Sequence, residues 1–162
     1  DRRKSCENVA AAICKHHPEV KSLRDANYEL LDEVRGEVSK EDALRAHYVI
    51  GEKERVMEVS AALEKEDYEE VGKKMYETHD GLSREYEVSC PELDFLVDVA
   101  RDCGVSGARV MGGGFGGCTI NLVSQELYAN FIDKARKSYQ EKFGKAPIVI
   151  DVVIGDGARK LC

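Results

Sequence analysis

Apolar residues recur at helical spacing over the first two-thirds of the chain, and the pattern then changes to that of strands and turns. Cys6, Val9, Ala10, Ile13 and Cys14 fall at i, i+3, i+4, i+7 and i+8, one stripe of a helix that Pro18 ends. Ser22 to Val34 reads as a second, shorter helix with Gly36 as its stop. Leu44, Tyr48, Val56, Val59 and Leu63 mark a long helix from Lys40 to Leu63 with a highly charged outer face. Asp67 opens another, with Tyr68, Val71, Met75, Leu82 and Tyr86 on one side. Ser89-Cys90-Pro91-Glu92 predicts a further helix start. Ser89 and Glu92 stand at capping-box spacing, and proline is tolerated in a first turn because its missing N–H would be unpaired there. Leu93, Leu96, Val97, Ala100 and Cys103 continue that helix to Gly104.

After Gly104 the texture changes. Ala108 to Met111 is a short apolar run, glycines follow, and Cys118 to Val123 is β-branched and alternating. Gln125 to Phe143 is amphipathic again (Leu127, Phe131, Ala135, Tyr139) and is closed by Gly144, and Ile148 to Ile154 reads as a strand. This order predicts an α+β domain with an antiparallel sheet covered by helices on one face, preceded by a helical extension.

Composition narrows the function. The 162 residues, 43% hydrophobic and 34% charged, suit one globular domain. A net charge of −7 lacks the basic footprint of a nucleic-acid binder. No apolar run approaches the roughly 20 residues of a bilayer span, and no signal-peptide pattern is present. The expected location is the cytoplasm, with no nucleic-acid or membrane partner. Cys6, Cys14, Cys90, Cys103, Cys118 and Cys162 are too dilute for a disulfide scaffold and read as reduced thiols, most of them packed as small apolar groups. Cys14 with His16 and His17 lacks a second Cys/His pair at zinc spacing, so no metal is assigned. The chain opens Asp1-Arg2-Arg3-Lys4 inside a predicted helix, as a piece cut from something longer would.

Five of the fourteen glycines fall within six positions, in Gly112-Gly113-Gly114-Phe115-Gly116-Gly117. A tight left-handed turn between strands explains some of them. A simple hairpin needs only one or two, and the remainder favour close backbone approach to an anion that side chains would block. Gly112, Gly114 and Gly117 satisfy G-x-G-x-x-G, but that fingerprint needs a helix after the loop and here a strand follows. A phosphate loop of the Walker type needs a Lys where Cys118 stands. What remains is a glycine turn between strands that meets a phosphate, or a neighbouring phosphate loop, through backbone alone. Phe115 is left open between the cleft and its own core. Cys118 and Thr119 read as strand-packing side chains, His79 as a helix-surface histidine, and Glu92 and Asp94 as carboxylates favoured by a helix N-terminus.

The run Arg109 to Thr119 resembles the third conserved motif of the GHMP kinases in its galactokinase form. Tyr86 to Asp94 (Tyr-Glu-Val-Ser-Cys-Pro-Glu-Leu-Asp) resembles a second galactokinase block, and Arg2-Arg3-Lys4-Ser5-Cys6 resembles the R-R-x-x-C segment that opens that family's C-terminal domain. Arg45 to Glu52 matches more loosely, with His47 one residue ahead of the family's usual histidine. The resemblance implies a ferredoxin-like C-terminal domain covering residues 1–162, with a GHMP C-terminal module at about 61–145. It also implies transfer of the γ-phosphoryl of ATP, with Mg2+, to the C1 hydroxyl of α-D-galactose. In that family the sugar-binding motif, the serine-rich ATP and Mg2+ loop and the catalytic Asp lie in the N-terminal domain, and nothing in this chain matches them. Gly112, Gly113, Gly114, Phe115, Gly116 and Gly117 would line the cleft against that partner domain, and no catalytic residue or metal ligand is assigned here. The chain alone is expected to be inactive and, with an apolar strip uncovered, prone to self-association, whereas the full-length enzyme is expected to be a monomer. Replacing Gly114 or Gly116 by Val is expected to reduce phosphoryl transfer while leaving the fold largely intact. The alternatives are a sibling kinase for N-acetylgalactosamine or arabinose and a non-catalytic, galactose-sensing regulator.

Overall fold

The computed structural model describes residues 1–155 and 157. Six helices and two strands follow in the order α1 (Arg2–His16), α2 (Tyr28–Glu33), α3 (Lys40–Glu64), α4 (Tyr68–Arg84), α5 (Pro91–Asp102), β1 (Gly107–Val110), β2 (Thr119–Leu122) and α6 (Gln125–Phe143). β1 and β2 pair antiparallel, with Gly107 opposite Leu122 and Val110 opposite Thr119.

Three apolar clusters hold these elements. Val9, Ala12 and Ile13 of α1 meet Leu31 of α2 and Ala43, Ala46 and Ile50 of α3, the core of the helical extension. Val97, Val99 and Ala100 of α5 pack with Ala108 of β1 and with Phe131 and Ala135 of α6. Between the two, Tyr48, Leu82, Val88, Leu93 and Val110 form a third cluster at the foot of the glycine loop.

Helix ends follow local chemistry. Ser39 and Asp67 cap α3 and α4, accepting from the amides of Asp42 and Glu70 at 3.0 Å each. The second helix is much shorter than its pattern predicts. The Asp25 carboxylate accepts from the amides of Lys21 and Ser22, which draws that segment into a turn, and Asn27 caps the surviving helix at Leu30. The predicted stripe of α3 is also corrected. Tyr48 is buried, but Leu44, Val56 and Leu63 are exposed, and the buried face is carried by Ala43, Ala46, Ile50 and Ala62. Because α3 packs against α1 and α2 on one side and α4 on another, small residues at its contacts matter more than large ones.

Glycine sets the distance between α4 and β1. A Cβ on Gly72 would lie 2.0 Å from the Ser106 carbonyl oxygen, and one on Gly107 would lie 2.5 Å from the Gly72 Cα. Helix and strand therefore touch backbone to backbone.

The predicted strand Ile148–Ile154 is absent. These residues lie outside regular structure, and Ile148, Ile150, Val152, Val153 and Ile154 are all exposed, Ile154 at 95%. β-branched composition gives a strand only where a neighbour completes the ladder, and no described strand stands beside this segment. Among the described residues no helix is long and apolar enough to cross a membrane.

Candidate functional site

Residues 111–118 form the connection between β1 and β2, and the backbone there is left-handed for most of its length. φ is +77° at Gly112, +79° at Gly114, +59° at Phe115, +114° at Gly116 and +94° at Gly117. Glycine meets that demand without steric cost, which accounts for the glycine density. A Cβ would meet open space at Gly112, Gly113, Gly116 and Gly117, so at these four positions solvent or a ligand can reach the backbone. Among the described residues none of these four amides has a hydrogen-bond partner. Gly114 differs, because a Cβ there would lie 2.2 Å from the Val88 carbonyl oxygen. The expectation that Gly114 and Gly116 are equivalent is therefore corrected: Gly114 docks the loop and Gly116 faces open space.

The loop is fastened at both ends. At its tip, the Phe115 amide donates to the Val88 carbonyl at 2.6 Å. The Phe115 ring is 70% exposed and lies under the Arg2 guanidinium, whose Cζ is 5.2 Å from the ring centroid. Phe115 thus packs on neither strand nor core. Arg2 also donates to the carbonyls of Tyr86 and Glu87, at 3.0 and 2.5 Å. Arg45, buried in α3, pairs with Glu87 at 3.1 Å and with Glu41, and donates to Ser5 at 3.0 Å. Two arginines from different helices thus hold the 86–88 segment on which the loop tip rests.

At its root, the Met111 amide donates to the Cys118 carbonyl at 3.0 Å, and the Val110 amide donates to Nδ1 of His79 at 3.4 Å. His79 is only 2% exposed, which overturns its reading as a surface residue. Its Nε2 lies 3.2 Å from Asp94, whose carboxylate also accepts from Ser89 at 2.5 Å and Ser83 at 3.1 Å. Burial pulls the His79 imidazole below its ordinary range despite the nearby Asp94 and Asp80 charges, so the neutral ring is favoured. Asp94, read from sequence as a helix-dipole carboxylate, is the hub of this cluster. Ser89 spends its hydroxyl on Asp94, so the predicted capping box does not form, and α5 starts from Cys90 without a side-chain cap.

The cysteines are less buried than expected. Cys6, Cys14, Cys90, Cys103 and Cys118 are free; the first four are half-buried, while Cys118 is exposed at the loop's exit rather than packed on the strand. Cys162 lies outside the described residues. Desolvation pushes the Cys6 thiol up, against an opposing hydrogen bond with Tyr86.

With this geometry in place, residues 59–141 match the family model described as GHMP kinases C terminal. The chain belongs to the GHMP kinase family. The GHMP match takes in α4, α5, both strands, the glycine loop and most of α6. Over 162 residues the chain is 43% identical to the galactokinase of Homo sapiens, covering 99% of this chain and 39% of that protein. It is 37% identical to the galactokinase of Clostridium beijerinckii, again over 99% of this chain and 42% of that one. The chain therefore spans about two-fifths of the length of the curated relatives it matches. A crystal structure of Lactococcus lactis galactokinase complexed with galactose superposes with a TM-score of 0.81 at 26% identity, covering 90% of this chain and 38% of the other. The α+β architecture of the GHMP kinase C-terminal domain is thus the fold of this chain.

Proposed function

We propose that the chain is the C-terminal domain, residues 1–162, of a galactokinase that moves the γ-phosphoryl of ATP to the C1 hydroxyl of α-D-galactose. The observation that carries this reading is the glycine loop: open amides on a left-handed backbone, in a chain aligned along 99% of its length with proteins named galactokinase. Four amides with no partner among the described residues suit phosphate oxygens, which accept N–H bonds. No carboxylate stands among residues 111–118, so the loop fits an anion and supplies no Mg2+ ligand. ATP brings the transferable phosphoryl group, and the loop's part is to offer fixed donors as charge develops on it. Gly112, Gly113, Gly116 and Gly117 are the donors, while Gly114 and Phe115 fix their placement.

The reading places the enzyme in the cytoplasm, as a monomer whose cleft closes between this domain and an N-terminal one. Galactose contacts, the ATP loop with Mg2+ and the catalytic Asp are assigned to that other domain, because nothing in these 162 residues resembles them. The test is a coupled ADP-release assay. The complete protein is expected to phosphorylate galactose in preference to N-acetylgalactosamine and arabinose, and the 162-residue chain alone is expected to give no turnover. Turnover by the chain alone would refute the assignment of the catalytic groups. A complete protein that binds galactose without phosphorylating any of the three sugars would instead be a sensor.

A further inference from the structure

Val110 is the last residue of β1 before the glycine loop. It stands opposite Thr119, and the next pair, Met111 and Cys118, is joined by the Met111 amide at 3.0 Å. Antiparallel pairs alternate between bonded and unbonded, so the Val110 N–H faces away from β2, toward α4. Val110 is fully buried, and an orphaned amide there would carry the full desolvation cost. Nδ1 of His79, 31 residues earlier in the chain, is the acceptor that meets it.

That bond fixes the tautomer. A ring nitrogen that accepts from an amide carries no proton, so the proton of neutral His79 sits on Nε2, which stands 3.2 Å from the Asp94 carboxylate. Asp94 accepts from two donors, one on α4 (Ser83) and one on the 85–90 connection (Ser89), and the imidazole Nε2 lies 3.2 Å from the same carboxylate. The same connection carries Val88, which receives the Phe115 amide. Root and tip of the loop are thus tied to one corner, where α4 turns into α5, and His79 is the group that spans from that corner to the strand.

We propose that His79 is a positioning residue for the glycine loop, holding the root of residues 111–118 as an Nε2–H imidazole whose Nδ1 accepts from the Val110 amide and whose Nε2 stands beside the Asp94 carboxylate. It touches no substrate, and it sets where the loop amides stand. The kinetic consequence rests on the galactokinase reading; the structural one rests on geometry alone.

Two measurements on the complete protein test this. Nitrogen NMR of 15N-histidine-labelled protein is expected to give His79 a protonated Nε2 and an acceptor-type Nδ1 at neutral pH. His79→Phe fills the site but offers the Val110 amide no acceptor. It is expected to shift the amide resonances of Gly112–Gly117 and to lower kcat by about 10²-fold with little change in the KM for galactose. His79→Asn keeps an acceptor close to the place of Nδ1 and is expected to recover most of that loss. An Nδ1-protonated ring, unshifted loop resonances in His79→Phe, or an Asn variant as impaired as the Phe variant would overturn the proposal. Where His79→Phe does not fold, the wild-type tautomer and the Asn variant decide it. If the wild-type protein turns over no sugar while the tautomer and loop shifts come out as expected, the kinase reading fails and the positioning role stands.

Discussion

Replacing Gly72 by alanine is expected to destabilise the protein by about 3 kcal/mol or more, near the upper end of what overpacking costs, because backbone rather than side chain must yield. Helix propensity alone predicts the opposite sign, since alanine is favoured over glycine by about 1 kcal/mol inside a helix. Packing wins on geometry. The new methyl would stand 2.0 Å from the Ser106 carbonyl oxygen and 3.0 Å from the Gly107 nitrogen, and no rotamer change moves either atom. α4 and β1 must separate, and with them His79 and the Val110 amide that bind across that contact. Denaturant titration and thermal unfolding measure the effect, with a Tm fall of about 6–12 °C for 3 kcal/mol in a domain of this size. Gly36→Ala is the control: nothing lies within 4 Å of that Cβ, and no such loss is expected. An unchanged or raised Tm in Gly72→Ala would mean that α4 and β1 do not meet backbone to backbone.

The second large effect is on chemistry rather than folding. Gly116 has open space around its absent Cβ, so Gly116→Val meets no clash. What it meets is φ +114°, a conformation that a β-branched residue enters only at a cost of about 1–3 kcal/mol. An exposed loop escapes this strain by rearranging its backbone, and the amide array is lost while the core is untouched. In the complete protein, on the proposed reading, kcat/KM is expected to fall by about 10²–10³-fold, the size of effect seen when fixed donors to a developing charge are removed. The melting temperature is expected to stay close to wild type. Wild-type kinetics in this variant would reduce the glycines to turn formers. Gly114→Val tests a different property, because its side chain would strike the Val88 backbone and undock the loop tip, so both activity and stability should fall.

Much of the fold was legible as local pattern. The apolar stripe with Pro18 after it placed α1, and Gly144, at φ +74°, closes α6 where the sequence puts its stop. The glycine run was legible for the same reason, since left-handed backbone leaves a compositional trace. α3 misleads because its period says that one face is buried without saying which neighbours arrive, and alanines rather than Leu44, Val56 and Leu63 met them. Ile148–Ile154 misleads because a strand is a property of a pair.

His79 was the residue that local reasoning placed wrongly, while Asp94 stands in the first turn of α5 as its pattern suggests and gains partners that the pattern does not give. His79 does not break its helix pattern, and the amide that it accepts from, that of Val110, lies 31 residues on in the chain. Taken alone, the sequence determined where the helices run, that a glycine loop separates two strands, and that these blocks are those of a GHMP kinase, because periodicity, capping chemistry and φ > 0 all act within a few residues. Only the tertiary structure decided that the loop is fastened at Phe115 to Val88 and at Val110 to His79, and that Gly114 docks while Gly116 faces open space. Those bonds form between segments whose approach is set by the backbone contact of Gly72 with Gly107, a distance that no local pattern records.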